Sequence, residues 1–419
     1  MTPAAIDAAL AYFPILLLAA AATAVTAFLL TPLAIRLAPR LGMIDRPGAA
    51  RRIHEQPTPR SGGLAIALAL VGVGTVGFVA AQALGFAPPL RAVRVTQIAG
   101  LFGGVAVGAI LGYIDDRYEL RARWQFGGQI VLAAIAIVSG VLISDMVNPL
   151  GGEPLRFAGP AAMAVTALWV VGMINSANFV DGLDGLLTGI ALIAAVTLGA
   201  VSLLPPQPQP VVALMCALLA GALLGFLPFN FHPARIFLGT AGVFVIGYAL
   251  AVLSVIGSAK VAVALLVLGV PIIDTFWIII RRVSERRSPF SPDRGHFHHR
   301  LLDLGLSHRR AVLVIYALCT VLAVLSLALS GRGQISAFLI IVVVGGLALY
   351  LVTRRAHGSL DSVSYPDQPE PELLAGLRDV VDESQSADAT VTAPDPAEET
   401  APDPAEETAP DPAEGRGKN

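Results

Sequence analysis

Apolar runs of helical-span length alternate with short polar segments from residue 12 to residue 353. A helix needs about 20 apolar residues to cross the hydrocarbon core of a bilayer. On that ruler eleven spans are predicted, at 12–35, 63–84, 97–114, 127–146, 160–177, 185–204, 210–229, 236–257, 261–280, 310–330 and 335–353. The first run has no basic residue before it and is too long for the core of a signal peptide, so it is read as a span. The fold expected is an all-α polytopic membrane protein, with a membrane domain over residues 1–357 and a tail over 358–419.

Composition supports this reading. Of 419 residues 55% are hydrophobic and 14% charged, and the mean hydropathy is +0.72, outside the usual range of soluble domains. The formal net charge of −2 conceals a division: residues 1–357 hold 25 Lys and Arg against 14 Asp and Glu, whereas 358–419 hold 3 against 16. Twenty of the basic residues fall in the odd-numbered connections and at the start of the tail. The even-numbered connections hold only Arg91, Arg94, Arg156, Lys260 and Arg332. Basic loops stay in the cytoplasm, which predicts an outer N-terminus and an inner C-terminus. The tail repeats the octad TAPDPAEE from Thr392 and Thr400, and again in truncated form from Thr408. Such a proline-rich acidic segment cannot bury a core and is expected to be disordered. Cys216 and Cys319 lie within apolar runs and form no disulfide or zinc spacing.

The inner connections hold the candidate chemistry. The segment IDRPGAARRIHEQPTPRSGGL (44–64) carries Arg51, Arg52, His54 and Arg60 and ends in a glycine pair that opens a helix. Basic groups beside a helix N-terminus suit phosphate, although inner topology alone also places basic residues there. Asp115 and Asp116 fall at the inner end of the third span, in YIDDRYELRARWQFGGQ (113–129). A carboxylate within a span costs about 2.5–3.5 kcal/mol on insertion scales, which makes it a functional candidate. In INSANFVDGLDGL, Asn175 precedes Asn178, Asp181 and Asp184, the last three spaced by three. A helical turn would bring those three to one face, with Gly182 and Gly185 leaving the backbone bare. Oxygen ligands of this kind suit Mg²⁺. Between residues 281 and 310, His296, His298 and His299 stand with Arg294 and Arg300; His and Arg donors match pyrophosphate oxygens better than a soft metal.

These stretches resemble the polyprenyl-phosphate N-acetylhexosamine-1-phosphate transferases, and the WecA/TagO branch more than the MraY branch. Five segments in the family's order carry the resemblance: RRIHEQPTPRSGG, DDRYELRARWQFGGQ, NSANFVDGLDGL, FHPARIFLGTAG and SPFSPDRGHFHHRLL. The resemblance implies transfer of an N-acetylhexosamine 1-phosphate, with N-acetylglucosamine the expected sugar, from a UDP-sugar to undecaprenyl or another polyprenyl phosphate, with UMP released. It places the protein in a bacterial plasma membrane, with the site on the cytoplasmic face and the reaction at the first membrane step of envelope glycan synthesis. The implied cofactor is Mg²⁺, with Mn²⁺ as a substitute. The implied partners are a UDP-N-acetylhexosamine, polyprenyl phosphate, the bilayer and a second copy in a homodimer, with no nucleic acid.

By position the resemblance makes Asp115, Asp116 and Asp181 catalytic, and gives Asn178, Asp181 and Asp115 to the metal. It gives Asp184, Asn175, His296, His298, His299, Arg300 and Arg60 to the substrate, with Asp184 at the uracil end. A phosphate monoester has a second pKa of about 6, so the acceptor is largely dianionic at neutral pH and positioning outweighs proton removal. Two positions depart from the family pattern. Thr240 stands where the family carries a metal-binding aspartate, followed by Val243 in place of a serine, and Gln125 stands where a base is usual. A neutral hydroxyl there weakens Mg²⁺ binding at that point and gives a competing reading: a degenerate homologue that binds nucleotide sugar or lipid without turnover. A carrier would require acids at the bilayer midplane and an internal repeat, whereas these acids lie at inner span ends and the repeat is confined to the tail.

Overall fold

The computed structural model describes residues 3–45, 57–83, 85, 93–148, 151–204, 208–256, 261–269, 272–274, 282, 297–329 and 331–360. The chain divides into two units, Met1–Tyr350 and Leu351–Asn419. The second is described only over residues 351–360, which are helical, so the acidic octads lie outside the described residues.

The first unit is helical. Its elements are α1 (Pro3–Leu41), α2 (Gly62–Ala83), α3 (Val95–Tyr118), α4 (Ala122–Val138), α5 (Pro160–Val180), α6 (Leu186–Ser202), α7 (Pro210–Asn230), α8 (Gly239–Val255), α9 (Val261–Val267), α10 (Phe297–Asp303) and α11 (His308–Ala328). A twelfth helix, α12 (Gly331–Leu360), starts in this unit. Two short antiparallel ribbons interrupt them, β1 (Ile44–Asp45) with β2 (Thr58–Pro59) and β3 (Asp145–Met146) with β4 (Leu155–Arg156).

Six described helices are long and apolar enough to cross a membrane: Ala11–Leu41, Gly62–Ala83, Val95–Tyr118, Pro160–Val180, Pro210–Asn230 and His308–Ala328. Shorter apolar helices cover Ala122–Val138, Leu186–Ser202, Gly239–Val255 and Gly331–Gly345. The fourth span predicted, 127–146, is displaced toward the N-terminus. A reverse turn closes α4, with Gly140 N–H donating to Ile137 O at 2.9 Å and Val141 N–H to Ala136 O at 3.0 Å; this is the carbonyl-satisfying helix end that stops propagation. Of the ninth span, 261–280, the described residues contain α9 and a helical fragment at 272–274.

The packing inverts that of a soluble protein. Leu18, Leu29, Val76, Val138, Leu168 and Val343 stand outward and exposed, an apolar exterior far too extensive for a water-facing surface. The centre is α8, in which sixteen of seventeen residues are buried and only Thr240 retains exposure. Helices α2, α3 and α5 pack on it. Close approach at its first turn depends on glycines: a Cβ on Gly63 would lie 2.0 Å from Gly242 N, and one on Gly112 would lie 2.2 Å from Ala241 Cα. The glycine pair at the start of α2 thus seats the helix against α8. Gly62 N–H donates to Phe237 O at 3.0 Å and Gly63 N–H to Leu238 O at 2.9 Å, which satisfies first-turn donors that a helix cannot pair internally.

Candidate active site

The acids of the third predicted span converge on the start of α8. Asp115 and Asp116, each 5% exposed, lie in the last turn of α3. Asp116 spans the α8 N-terminus: Oδ1 accepts from Thr240 N–H at 2.8 Å, and Oδ2 from Ala241 N–H at 3.0 Å. A carboxylate there is favoured by the orphan N–H groups and the positive end of the helix dipole. Gly239, at φ +69°, turns the chain into the helix, and a Cβ there would meet Arg60 O at 2.3 Å and Asp116 Oδ2 at 2.5 Å. Arg60 adds the countercharge, with its guanidinium 3.6 Å from Asp116 Oδ1 and 3.7 Å from Asp45 Oδ1. The basic residue of the first loop predicted to bind phosphate is therefore engaged with carboxylates.

Asp115 is held differently. Gln125 Nε2 donates to both of its oxygens, at 2.9 and 3.0 Å, and Thr240 Oγ1 donates to Oδ2 at 2.6 Å. The two residues that depart from the family pattern thus meet on one carboxylate, a relationship that spacing along the chain does not reveal.

The helical turn expected to align Asn178, Asp181 and Asp184 does not form. Helix α5 ends at Val180, Asp181 occupies its C-terminal cap with φ −74° and ψ +50°, and turns lead to α6 at Leu186. Glycines at 182 and 185 make continuation of the helix unfavourable. The three residues consequently do not share one helical turn. Asn178 is exposed. Asp181 lies in the electrostatic reach of Asp116, Arg60 and Asp184, and burial, reinforced by the Asp116 charge, pushes its carboxyl up to about 7. Asp184 is fixed by groups outside its own motif: its Oδ2 lies 2.7 Å from His232 Nδ1 and accepts from Ala234 N–H at 3.1 Å, and its backbone N–H donates to His308 Nε2 at 2.9 Å.

Asn175 is also committed within the protein. Its Nδ2 donates to Gln129 Oε1 at 2.6 Å and to Val171 O at 2.8 Å. Arg300 is half-buried in α10. His298 and His299 fall in the backbone of α10, with their side chains outside the described set, and His296 lies outside the described residues.

Sequence reasoning did not single out His232 and His308. Both stood in quoted stretches, FHPAR and the 281–310 segment, but no spacing links them to each other or to Asp184. Their rings stack with centroids 4.2 Å apart, and Arg309 Nε donates to His232 O at 3.0 Å. Asp184, His232 and His308 offer ligand atoms within 4.8 Å of one another. Their hydrogen bonds argue against a metal centre: His232 Nδ1 is bonded to Asp184, and the His308 Nε2 lone pair is occupied by a backbone N–H. The arrangement is one that orients a carboxylate.

The acids offer the oxygen donors that a hard divalent cation takes, but their ligand atoms do not gather within 4.8 Å of one another as those of Asp184, His232 and His308 do. Asp115, Asp116 and Asp181 supply oxygen donors with Arg60 as the cation beside them, and among the described residues the Asp181 carboxylate has no hydrogen-bond donor. An excess of buried negative charge on oxygen is what Mg²⁺ neutralises.

Comparison with known proteins identifies the family. Residues 98–258, which contain both carboxylate sets and the start of α8, match glycosyl transferase family 4. The chain is 34% identical over 326 residues to a probable undecaprenyl-phosphate N-acetylglucosaminyl 1-phosphate transferase of Bacillus subtilis, covering 76% of this chain and 86% of that protein. The chain belongs to the polyprenyl-phosphate N-acetylhexosamine-1-phosphate transferase superfamily. Within the superfamily it is also 38% identical over 307 residues to a decaprenyl-phosphate N-acetylglucosaminephosphotransferase of Mycobacterium tuberculosis, covering 67% of this chain and 74% of that one. It is 32% identical over 349 residues to a phospho-N-acetylmuramoyl-pentapeptide-transferase of Desulforudis audaxviator, covering 76% and 99%.

Proposed function

We propose that this protein transfers N-acetylglucosamine 1-phosphate from UDP-N-acetylglucosamine to a polyprenyl phosphate and releases UMP. The observation that carries the reading is the placement of Asp115 and Asp116 at the end of apolar helix α3 and of Asp181 at the end of apolar helix α5, with Arg60 paired to Asp116 and in electrostatic reach of Asp181. A lipid phosphate and a water-soluble nucleotide can come together only at such a boundary. The relatives' names supply the substrate class.

Phosphoryl transfer asks a protein mainly for positioning and charge neutralisation. Mg²⁺, held by Asp181 with Asp115 or Asp116, would neutralise pyrophosphate charge. Asp116 fixes the start of α8 and, through Arg60, the segment that leads into α2. Asp184, oriented by His232 and His308 through Oδ2 and its backbone N–H, would present Oδ1 to a donor on the nucleotide. Asn178, exposed at the end of α5, would be open to the substrate, and His296, His298, His299 and Arg300 would provide donors for the pyrophosphate.

The topology that suits this reaction has eleven spans in a bacterial plasma membrane, with the N-terminus outside and the site on the cytoplasmic face. The basic odd-numbered connections support that orientation. The membrane domain extends to residue 357, with the acidic tail following it, and the active form is a homodimer.

The test is UMP release by purified protein across a panel of UDP-sugars, with polyprenyl phosphate and Mg²⁺ or Mn²⁺. Release dependent on UDP-N-acetylglucosamine is expected. Folded protein that yields no UMP with any sugar or metal overturns the reading.

A further inference from the structure

Asp115 is a buried carboxylate anchored by neutral groups from two other helices. It belongs to α3, Gln125 to the first turn of α4 and Thr240 to the first turn of α8. The amide and the hydroxyl donate three hydrogen bonds to its two oxygens. Among the described residues no cation lies within ion-pair range of Asp115, since Arg60 pairs with Asp116 and Asp45.

We propose that Gln125 and Thr240 act as one unit, a neutral clamp that positions Asp115, and that the pair together sets the affinity of the site for a divalent cation. The physical argument concerns what each side chain permits the other to be. A buried anion that loses one donor leans on the other, and the loss of both leaves an unpaired charge, the costly case. An acid at position 240 would bring a second carboxylate against Asp115 with Asp116 next to it, tolerable only if position 125 supplied a cation. A base at 125 with Thr240 retained would add positive charge to a site that must attract M²⁺. Exchange of both together leaves the formal charge of the cluster unchanged while adding one anionic ligand. This accounts for the occurrence of both departures in one chain. The cation part of the proposal rests on the transferase reading above; the coupling between the two residues does not.

The experiment is a double-mutant cycle on the full-length protein in detergent, with Thr240→Asp, Gln125→Lys and the double variant. Melting is followed in EDTA, and Mn²⁺ binding is followed by electron paramagnetic resonance. In EDTA, Thr240→Asp should melt below wild type, and addition of Gln125→Lys should return the melting temperature to within a few degrees of it. Mn²⁺ should bind the double variant at least tenfold more tightly than wild type and Gln125→Lys at least tenfold more weakly.

Additive melting shifts overturn the clamp, and so does an Mn²⁺ affinity of the double variant equal to that expected from the two singles. If Thr240→Asp does not accumulate, Thr240→Val and Gln125→Leu replace the charged pair. The double variant should then lose more than the sum of the singles, and simple additivity again overturns the proposal. Absence of UMP release alongside a non-additive melting cycle would refute the transferase reading and leave the clamp standing. Additive melting in a protein that releases UMP would do the reverse.

Discussion

His232 Nδ1 lies 2.7 Å from Asp184 Oδ2, and the ring of His308 stacks on His232 while its Nε2 accepts the Asp184 backbone N–H. A donor fixed on Nδ1 and an acceptor fixed on Nε2 define both rings, so the pair orients Asp184 from two sides. His308→Leu leaves that N–H without its acceptor, a loss of about 1–3 kcal/mol. In the proposed reaction KM for the UDP-sugar should rise about tenfold in His308→Leu and in His232→Phe, with a smaller fall in kcat. His308→Gln, which restores an acceptor, should recover most of the loss in steady-state assays.

Asp116 is the cap of the most buried helix. Asp116→Ala removes the acceptors of the Thr240 and Ala241 N–H groups and takes one of two ion-pair partners from Arg60 among the described residues, leaving Asp45. Loss of a capping side chain costs about 0.5–2 kcal/mol. A lower melting temperature is expected in detergent, together with faster amide exchange at the first turn of α8. Asp116→Asn, which keeps one acceptor, should show a smaller effect in both measurements.

Burial raises the Asp181 carboxyl to about 7. A group with a folded-state pKa above its unfolded value favours the fold while protonated, and that contribution is lost as pH rises through the folded pKa. In EDTA the wild-type melting temperature should therefore fall between about pH 4 and pH 7 and level off above that. Asp181→Asn should flatten the profile and melt above wild type at pH 8. Parallel profiles for the two proteins would contradict the assignment.

Gly63 and Gly112 bring α2 and α3 to the backbone of α8. A methyl group at either position forces the helices apart, and overpacking of this kind costs about 1–3 kcal/mol. Gly63→Ala and Gly112→Ala should each lower the melting temperature and, because the carboxylates ride on the same contacts, reduce UMP release. Gly72→Ala, at a glycine of α2 with open space around it, serves as the control and should behave as wild type.

The helical membrane architecture was legible in the chain because about twenty consecutive apolar residues have few structural alternatives to a span. The carboxylates were legible for a related reason: Asp115, Asp116, Asp181 and Asp184 stand against an apolar background where a charge needs a purpose. Helix ends were less so. The end of α4 at Val138 is set by backbone turn bonds at 139–141, inside a run that remains apolar to Ile143.

The chain by itself determined the apolar helical body, the basic and acidic division and the acids that stand at the ends of apolar runs, since these follow from local composition and short spacings. Only the tertiary structure decided their partners. Asp184 meets His308 across 124 residues, and Asp115 meets Thr240 across 125. No periodicity carries such information; it arises when glycines allow α2 and α3 to close on α8. Gln125 and Thr240, two unrelated departures along the sequence, become one hydrogen-bonded unit because packing places them on the same buried carboxylate.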